Sequence, residues 1–145
     1  MIIEELSTHN LGYFTNLVLE LWPDCEFEEE YDYYKSLIQS EKEVCYLIRK
    51  DEIFIAFIHL ALRSEYVEGA DDLPVAYIEG IYVQPNYQKN GIAMQLVARA
   101  EDWAKQKGAK QIASDTSLTN IPAIAFHKKA GFTEAERIVC FIKDL

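Results

Sequence analysis

Positive charge is scarce in this chain. Its 14 Lys and Arg stand against 24 Asp and Glu, a formal net charge of −10 at pH 7. That balance argues against nucleic acid as the main partner, because neutralising phosphates takes clustered cations. A polycationic substrate suits such a surface, although acidic charge also serves simply to keep a globular protein dispersed. Cysteine is sparse too: Cys25, Cys45 and Cys140 are odd in number, widely spaced, and form no Cys-x-x-Cys or other metal-ligand pattern. Reduced thiols in a cytoplasmic protein are the simplest account, with no metal site. The opening Met-Ile-Ile-Glu-Glu lacks the basic start and apolar core of a signal peptide. The longest apolar stretch, residues 53–62, is interrupted by His59 and is too short to cross a bilayer as a helix. Repeats, low-complexity segments and interior linkers are also missing. The expectation is one cytoplasmic domain over residues 1–145, without a membrane or nucleic-acid partner.

What is present is apolar and aromatic: 50% of the residues are hydrophobic, with nine Tyr, seven Phe and two Trp. A chain of this size buries roughly 68–70% of its unfolded surface around one core. Residues 1–6 read as a short strand. Asn10 is placed to cap a helix whose Leu11, Phe14, Leu17, Val18 and Leu21 share a face, and Pro23 stops it. A second helix over 28–39 brings Tyr31, Tyr34 and Ile38 together. Runs 44–49 and 53–64 read as a hairpin through Lys50-Asp51-Glu52, and 75–83 as the next strand. After Gly91, Ile92, Leu96, Val97, Ala100, Trp103 and Ala104 line one face of a long helix that Gly108 ends. Residues 110–114 read as a strand. Asn120 caps a last helix with Pro122 in its first turn and Gly131 at its end, and 132–143 close the chain as one or two strands. The order β-α-α-β-β-β-α-β-α-β describes one layered α/β or α+β domain.

Residues 80–93, Gly-Ile-Tyr-Val-Gln-Pro-Asn-Tyr-Gln-Lys-Asn-Gly-Ile-Ala, carry the most information. A strand empties into a polar loop, and the loop opens a helix whose unpaired N–H groups and dipole suit a phosphate-bearing ligand. No Gly-Lys-Ser/Thr follows, which excludes a P-loop. A single glycine in the turn excludes the dinucleotide fingerprint.

Gln88-Lys-Asn-Gly-Ile-Ala93, a Gln-x-x-Gly-x-Ala pattern at a helix start, resembles the pyrophosphate loop of the GNAT acetyltransferase superfamily. Asn120 through Phe132, with Ala125-Phe-His-Lys-Lys-Ala-Gly-Phe132, is similar to that superfamily's second cofactor segment. Further segments resemble its aminoglycoside 6′-N-acetyltransferase branch: Leu21-Trp-Pro23, Arg63-Ser-Glu-Tyr-Val-Glu-Gly69, Pro74-Val-x-x-Ile-Glu-Gly-Ile-Tyr-Val83, Ala113-Ser-Asp-Thr-Ser117 and Glu134-Ala-Glu-Arg-Ile138. The resemblance covers nearly the whole chain. It implies a mixed, mostly antiparallel central sheet flanked by helices, acetyl-CoA as cosubstrate, and a homodimer joined through the final strands.

It also implies roles for individual residues. Gln88, Lys89, Asn90, Gly91, Ile92 and Ala93 would cradle the pyrophosphate, and Ile81, Tyr82 and Val83 would pair with the pantetheine arm. A backbone N–H of Tyr82 or Val83 would polarise the thioester carbonyl. Asn120 and Phe126 would line the arm's other side; His127 would stand beside the cofactor where many members have a Tyr that protonates the leaving thiolate, a role open to imidazole or needed by no residue at all. The acceptor amine arrives as an ammonium ion, so a carboxylate must attract it and take a proton. Asp115 is the first candidate for that base and Glu79 for a substrate anchor; exposed strand-end acids are the alternative reading of both. Trp22, Tyr66 and Glu136 would contact the aminocyclitol rings and their ammonium groups, with Asp71 or Asp72 as additional anions. Cys25 is either a contact or an inert thiol. His9 and His59 read as surface or packing residues.

The implied activity is transfer of acetyl from acetyl-CoA to the 6′-amine of an aminoglycoside, with resistance as its consequence. Another small amine, a polyamine or a protein amine as acceptor is the first alternative. A non-catalytic acetyl-CoA-binding regulatory module is the second.

Overall fold

Strand β2 (Glu43–Lys50) and strand β3 (Ile53–Arg63) turn tightly at Asp51, whose φ of 55° is left-handed, and form the antiparallel hairpin at the heart of the sheet. The computed structural model describes residues 1–145. Around the hairpin stand β1 (Ile2–Glu5), α1 (Leu11–Leu21), α2 (Phe27–Leu37), β4 (Val75–Val83), a 3-10 turn at Pro85–Tyr87, α3 (Ile92–Gln106), β5 (Ile112–Ala113) and α4 (Ile121–Lys129). The five strands lie in the order β1-β2-β3-β4-β5, antiparallel except for the parallel β4–β5 pair. This is the mixed, mostly antiparallel sheet that the sequence leads one to expect.

Both faces of the hairpin are covered, which is why 53–62 is apolar at every position but His59. Side chains alternate across a strand. Ile48, Ile58, Leu60 and Ile78 pack under Ile92, Leu96, Ala100, Trp103 and Ala104 of α3. Cys45, Leu47 and Phe57 meet Leu11, Phe14, Leu17 and Val18 of α1, with Tyr34 and Leu37 of α2. His59 lies on the second face, 3% exposed, with Nε2 at 2.8 Å from Glu43 Oε1 and Nδ1 at 3.4 Å from the Tyr34 hydroxyl. It is a paired core residue, as expected.

Three expectations need correction. Asn10 stands at the N-terminus of α1 but does not cap it: Oδ1 accepts from Ser7 N–H at 2.8 Å and Nδ2 donates to the Glu5 carbonyl at 3.0 Å. The side chain fastens β1 to the turn before the helix. Strand β5 is two residues long where 110–114 reads as strand. Residues 132–143 form no strand. A ladder needs a partner for its N–H and C=O groups, and none stands beside this segment within the chain. Phe141 and Ile142 are consequently 92% and 97% exposed.

Helix α3 clamps the sheet through the face read from its period, and Leu96 is fully buried there. Leu96→Ala removes three buried carbons from a site with little room to collapse, an expected loss of about 2–5 kcal/mol. Urea unfolding monitored by circular dichroism checks it, with Gln95→Ala on the exposed side expected to change stability by less than about 0.5 kcal/mol.

Candidate active site

One extra residue in β4 organises the site. His59 pairs with Gly80 while Leu60 pairs with Ile78, so the β3–β4 ladder skips Glu79. Such a bulge bends a strand and re-aims its side chains. On the other edge, β5 pairs with β4 only at Ala76 and Tyr77. From Ile78 to Val83 the β4 edge on that side has no strand partner, and the two strands part there to leave a cleft. Ile81, Tyr82 and Val83 all lie along this edge.

The cleft leads to the loop before α3. Gln88 ties the loop back to β4 by donating Nε2 to the Val83 carbonyl at 2.9 Å. Asn90 donates to the carbonyls of Tyr87 and Gln88, both at 3.3 Å. Lys89 and Gly91 have φ of 64° and 78°, the left-handed turn that swings the chain into the helix. No side chain caps α3, and its first helical bond runs from Gln95 N–H to the Gly91 carbonyl. The amides of Ile92, Ala93 and Met94 therefore precede the hydrogen-bonded ladder and face an anion seat. Gln88, Lys89, Asn90 and Gly91 are exposed around it. This donor set fits a pyrophosphate, and the open β4 edge fits an amide-bearing arm.

Helix α4 flanks the opposite side. Asn120 caps it, Oδ1 accepting from Ala123 N–H at 3.2 Å. That use leaves its side chain as a scaffold. His127 donates Nδ1–H to the Ala123 carbonyl at 2.6 Å, so in the neutral ring Nε2 accepts from Ser114 Oγ at 2.8 Å. The imidazole thus joins α4 to the end of β5, between Phe126 and Phe132, with ring centroids 5.8 and 5.3 Å away.

The two candidate carboxylates come together through intermediaries. Arg63, at the end of β3, donates Nε and Nη2 to the two oxygens of Glu79 at 3.0 and 2.8 Å. Its guanidinium carbon lies 3.4 Å from the centroid of the Tyr77 ring. Tyr77 donates its hydroxyl to Asp115. Burial first, then the hydrogen bond to Asp115, pushes the Tyr77 phenol up to about 12, while Arg63 opposes the rise. Trp22 walls the site: a Cβ built on Gly80 would stand 2.6 Å from its Cη2, so only glycine at 80 allows this approach. Tyr33 of α2 also faces the site, its phenol raised by burial and by carboxylates including Glu43 and Glu79.

The remaining acceptor-side candidates sit on the 64–74 loop. Tyr66 is 79% exposed, donates to Glu68, and feels the charge of Glu136. Ala135 packs against Gly69, which brings Glu136 there. A hollow of about 360 Å³ lies under the loop, lined by Tyr66, Val67, Ala70, Asp71, Asp72 and Leu73. Asp71 and Asp72 reach toward Gln111 and Lys110, which fastens the loop to the start of β5. Cys25 keeps its proton, because burial and the nearby Glu30 and Asp24 push its thiol up.

Sequence reasoning passed over Arg63, Tyr77 and Tyr33 as site residues. Tyr77 and Glu79 stand two apart in one strand, a signal for a shared face. Arg63 lies 16 residues from its partner, and nothing local marks it. The raised Tyr77 sets a pH dependence. Its pKa is 10.0 when unperturbed and about 12 when folded, so its contribution to stability is complete below pH 10 and is lost as pH rises toward 12. Urea unfolding at pH 9 and pH 11 is expected to show a steeper decline in the wild type than in Tyr77→Phe.

Against this geometry the comparisons with known proteins are consistent. Residues 4–132 match the Acetyltransferase (GNAT) family. An aminoglycoside N(6′)-acetyltransferase type 1 of Serratia marcescens is 36% identical over 94% of both chains, and one from Acinetobacter haemolyticus is 36% identical over 100% of this chain and 99% of its own. The structure of AAC(6′)-Iy in complex with the bisubstrate analogue CoA-S-monomethyl-acetylneamine superimposes with a TM-score of 0.95 at 30% identity, covering 99% and 98% of the two chains. With a matching family over most of its length and relatives of this identity and coverage, the chain belongs to the acetyltransferase (GNAT) family.

Proposed function

We propose that this protein is an aminoglycoside 6′-N-acetyltransferase that uses acetyl-CoA as cosubstrate. The observation that carries the reading is one strand, β4, that offers an unpartnered edge, leads into an uncapped helix start, and holds Glu79 together with Tyr77, to which Asp115 is bonded. When bound, acetyl-CoA would supply a thioester acetyl group for the amine nitrogen, with coenzyme A leaving as its thiolate. The amides at the start of α3 and the loop 88–93 hold its pyrophosphate. Ile81, Tyr82 and Val83 offer backbone groups to its arm, and Phe126 and His127 close the other side.

Asp115 attracts the ammonium, orients it and accepts the proton it sheds. The Tyr77 hydroxyl occupies one of its oxygens and leaves the other for the amine. Glu79, its charge offset by Arg63, anchors the substrate beside it as a hydrogen-bond acceptor. Trp22 and Tyr66 offer aromatic faces to the sugar rings, and Glu136 adds an anion for a further ammonium group. Acetylation removes a positive charge from the drug, and resistance follows from that loss. Three free cysteines suit a reducing, cytoplasmic setting.

A homodimer completes the reading. The segment after Phe132 carries Ile138, Val139, Phe141 and Ile142, exposed at 62–97%, in a stretch with strand composition. Pairing with a second copy supplies the ladder that one chain lacks.

Purified protein is expected to release free thiol from acetyl-CoA with kanamycin or tobramycin, and no turnover across a broad aminoglycoside panel would sink the proposal. Asp115→Asn is expected to lower kcat about 100-fold or more while leaving acetyl-CoA affinity intact, in the range for a lost general base. Light scattering is expected to give twice the chain mass, and a monomer on removal of residues 137–145.

A further inference from the structure

Arg63 is the cation paired with Glu79 and, through the Tyr77 ring it rests on, the neighbour of Asp115. It ends β3 on the same sheet face as Ala61 and His59, in register with Val75. Its two bonds to Glu79 make a fork that only a guanidinium supplies, and its plane rests on Tyr77, the residue that holds Asp115. Arg63 and Glu79 side chains are 41% and 26% exposed. Geometry, more than burial, keeps the guanidinium in place.

The consequence lies in charge. An ammonium between two free carboxylates is stabilised in its protonated form by both. A protonated amine has no lone pair with which to attack. Pairing with Arg63 cancels Glu79, so the incoming ammonium meets one uncompensated member of the pair. Other ionisable groups facing this region are already engaged or stand further out. Glu43 is bound by His59 and Glu68 by Tyr66. Tyr33 and Glu30 belong to α2, and Glu136 approaches from the C-terminal segment near Tyr66.

We propose that Arg63 is a positioning residue that neutralises Glu79, so that the acceptor amine meets Asp115 as its single free carboxylate and reaches its neutral, nucleophilic form near pH 7. This deepens the acetyltransferase reading and rests on it.

The test is the acid limb of kcat against pH, which reports ionisation in the enzyme–substrate complex. Arg63→Met keeps much of the side chain's bulk and removes its charge. Glu79 then holds the ammonium more tightly and keeps it protonated. The acceptor KM is expected to fall, kcat at pH 7 to fall about 10-fold, and the acid limb to move up by roughly one unit. Arg63→Lys keeps the limb in place. Glu79→Gln alone, which leaves Arg63 uncompensated, moves the limb down. The double variant R63M/E79Q returns it toward the wild-type position even where turnover stays low. A purely structural role raises KM and lowers kcat with the limb unmoved, and that result overturns the proposal. Should thermal unfolding show Arg63→Met to be misfolded, Glu79→Gln and the double variant decide, and an unmoved limb in Glu79→Gln is equally fatal. The limb is read with whichever amine turns over. Failure of the aminoglycoside reading appears separately, as absent thiol release with those drugs.

Discussion

Where β3 and β4 run antiparallel, one residue of β4 goes unmatched, and the path of the strand beyond it differs from the path before it. Ala76 and Tyr77, just ahead of the skip, pair with β5, and from Ile78 onward β4 has no strand partner on that edge. The cleft between the two strands thus opens beside the bulge. The skipped residue is Glu79, so one of the two acids stands at the irregularity itself. Gly80 follows at once and carries no Cβ, which lets Trp22 settle against the strand and wall the acceptor side. Bulge, acid and wall stand together at one backbone irregularity.

The rest of the molecule holds that irregularity still. A bulge costs a ladder hydrogen bond and local order, and it persists where packing on both sides determines the strand's position. Helix α3 presses one face of β3 and β4, and α1 with α2 presses the other. Fully buried Phe57, Ile58 and Leu60 bracket the skip. Each contributes roughly 1.5–3 kcal/mol of burial. The polar pair His59–Glu43 lies within this packing and is satisfied, so the strand bends without leaving an unpaired group beneath it.

Much of this was legible in advance, and the reasons differ by residue. Helix α3 was readable to the individual side chain because its six buried residues follow a 3.6 period against polar neighbours. Gly91 and Gly108 marked its ends through the left-handed φ they adopt. Asn10 misled because a capping residue type at a helix start has other acceptors and donors to choose from, here Ser7 and Glu5. The final segment misled because its alternation is that of a strand, while strand formation depends on a partner supplied from elsewhere. Asp115 and Glu79 were recognisable as candidates by resemblance and by their places at strand ends. Arg63 and Tyr77, which join them, were not, since their contacts span 16 and 38 residues of sequence.

The sequence by itself determined the local and periodic features: which segments are helices and strands, which faces are buried, where the chain turns, and that a helix start stands ready for an anion. Those follow from covalent constraints and side-chain spacing, which act over a few residues. Tertiary structure alone decided the register between β3 and β4, the parting of β4 from β5, and the chain of contacts from Glu79 through Arg63 and Tyr77 to Asp115. A one-residue choice of register leaves composition and periodicity unchanged and is settled only when both sheet faces pack at once. The charge that an incoming amine meets depends on that choice.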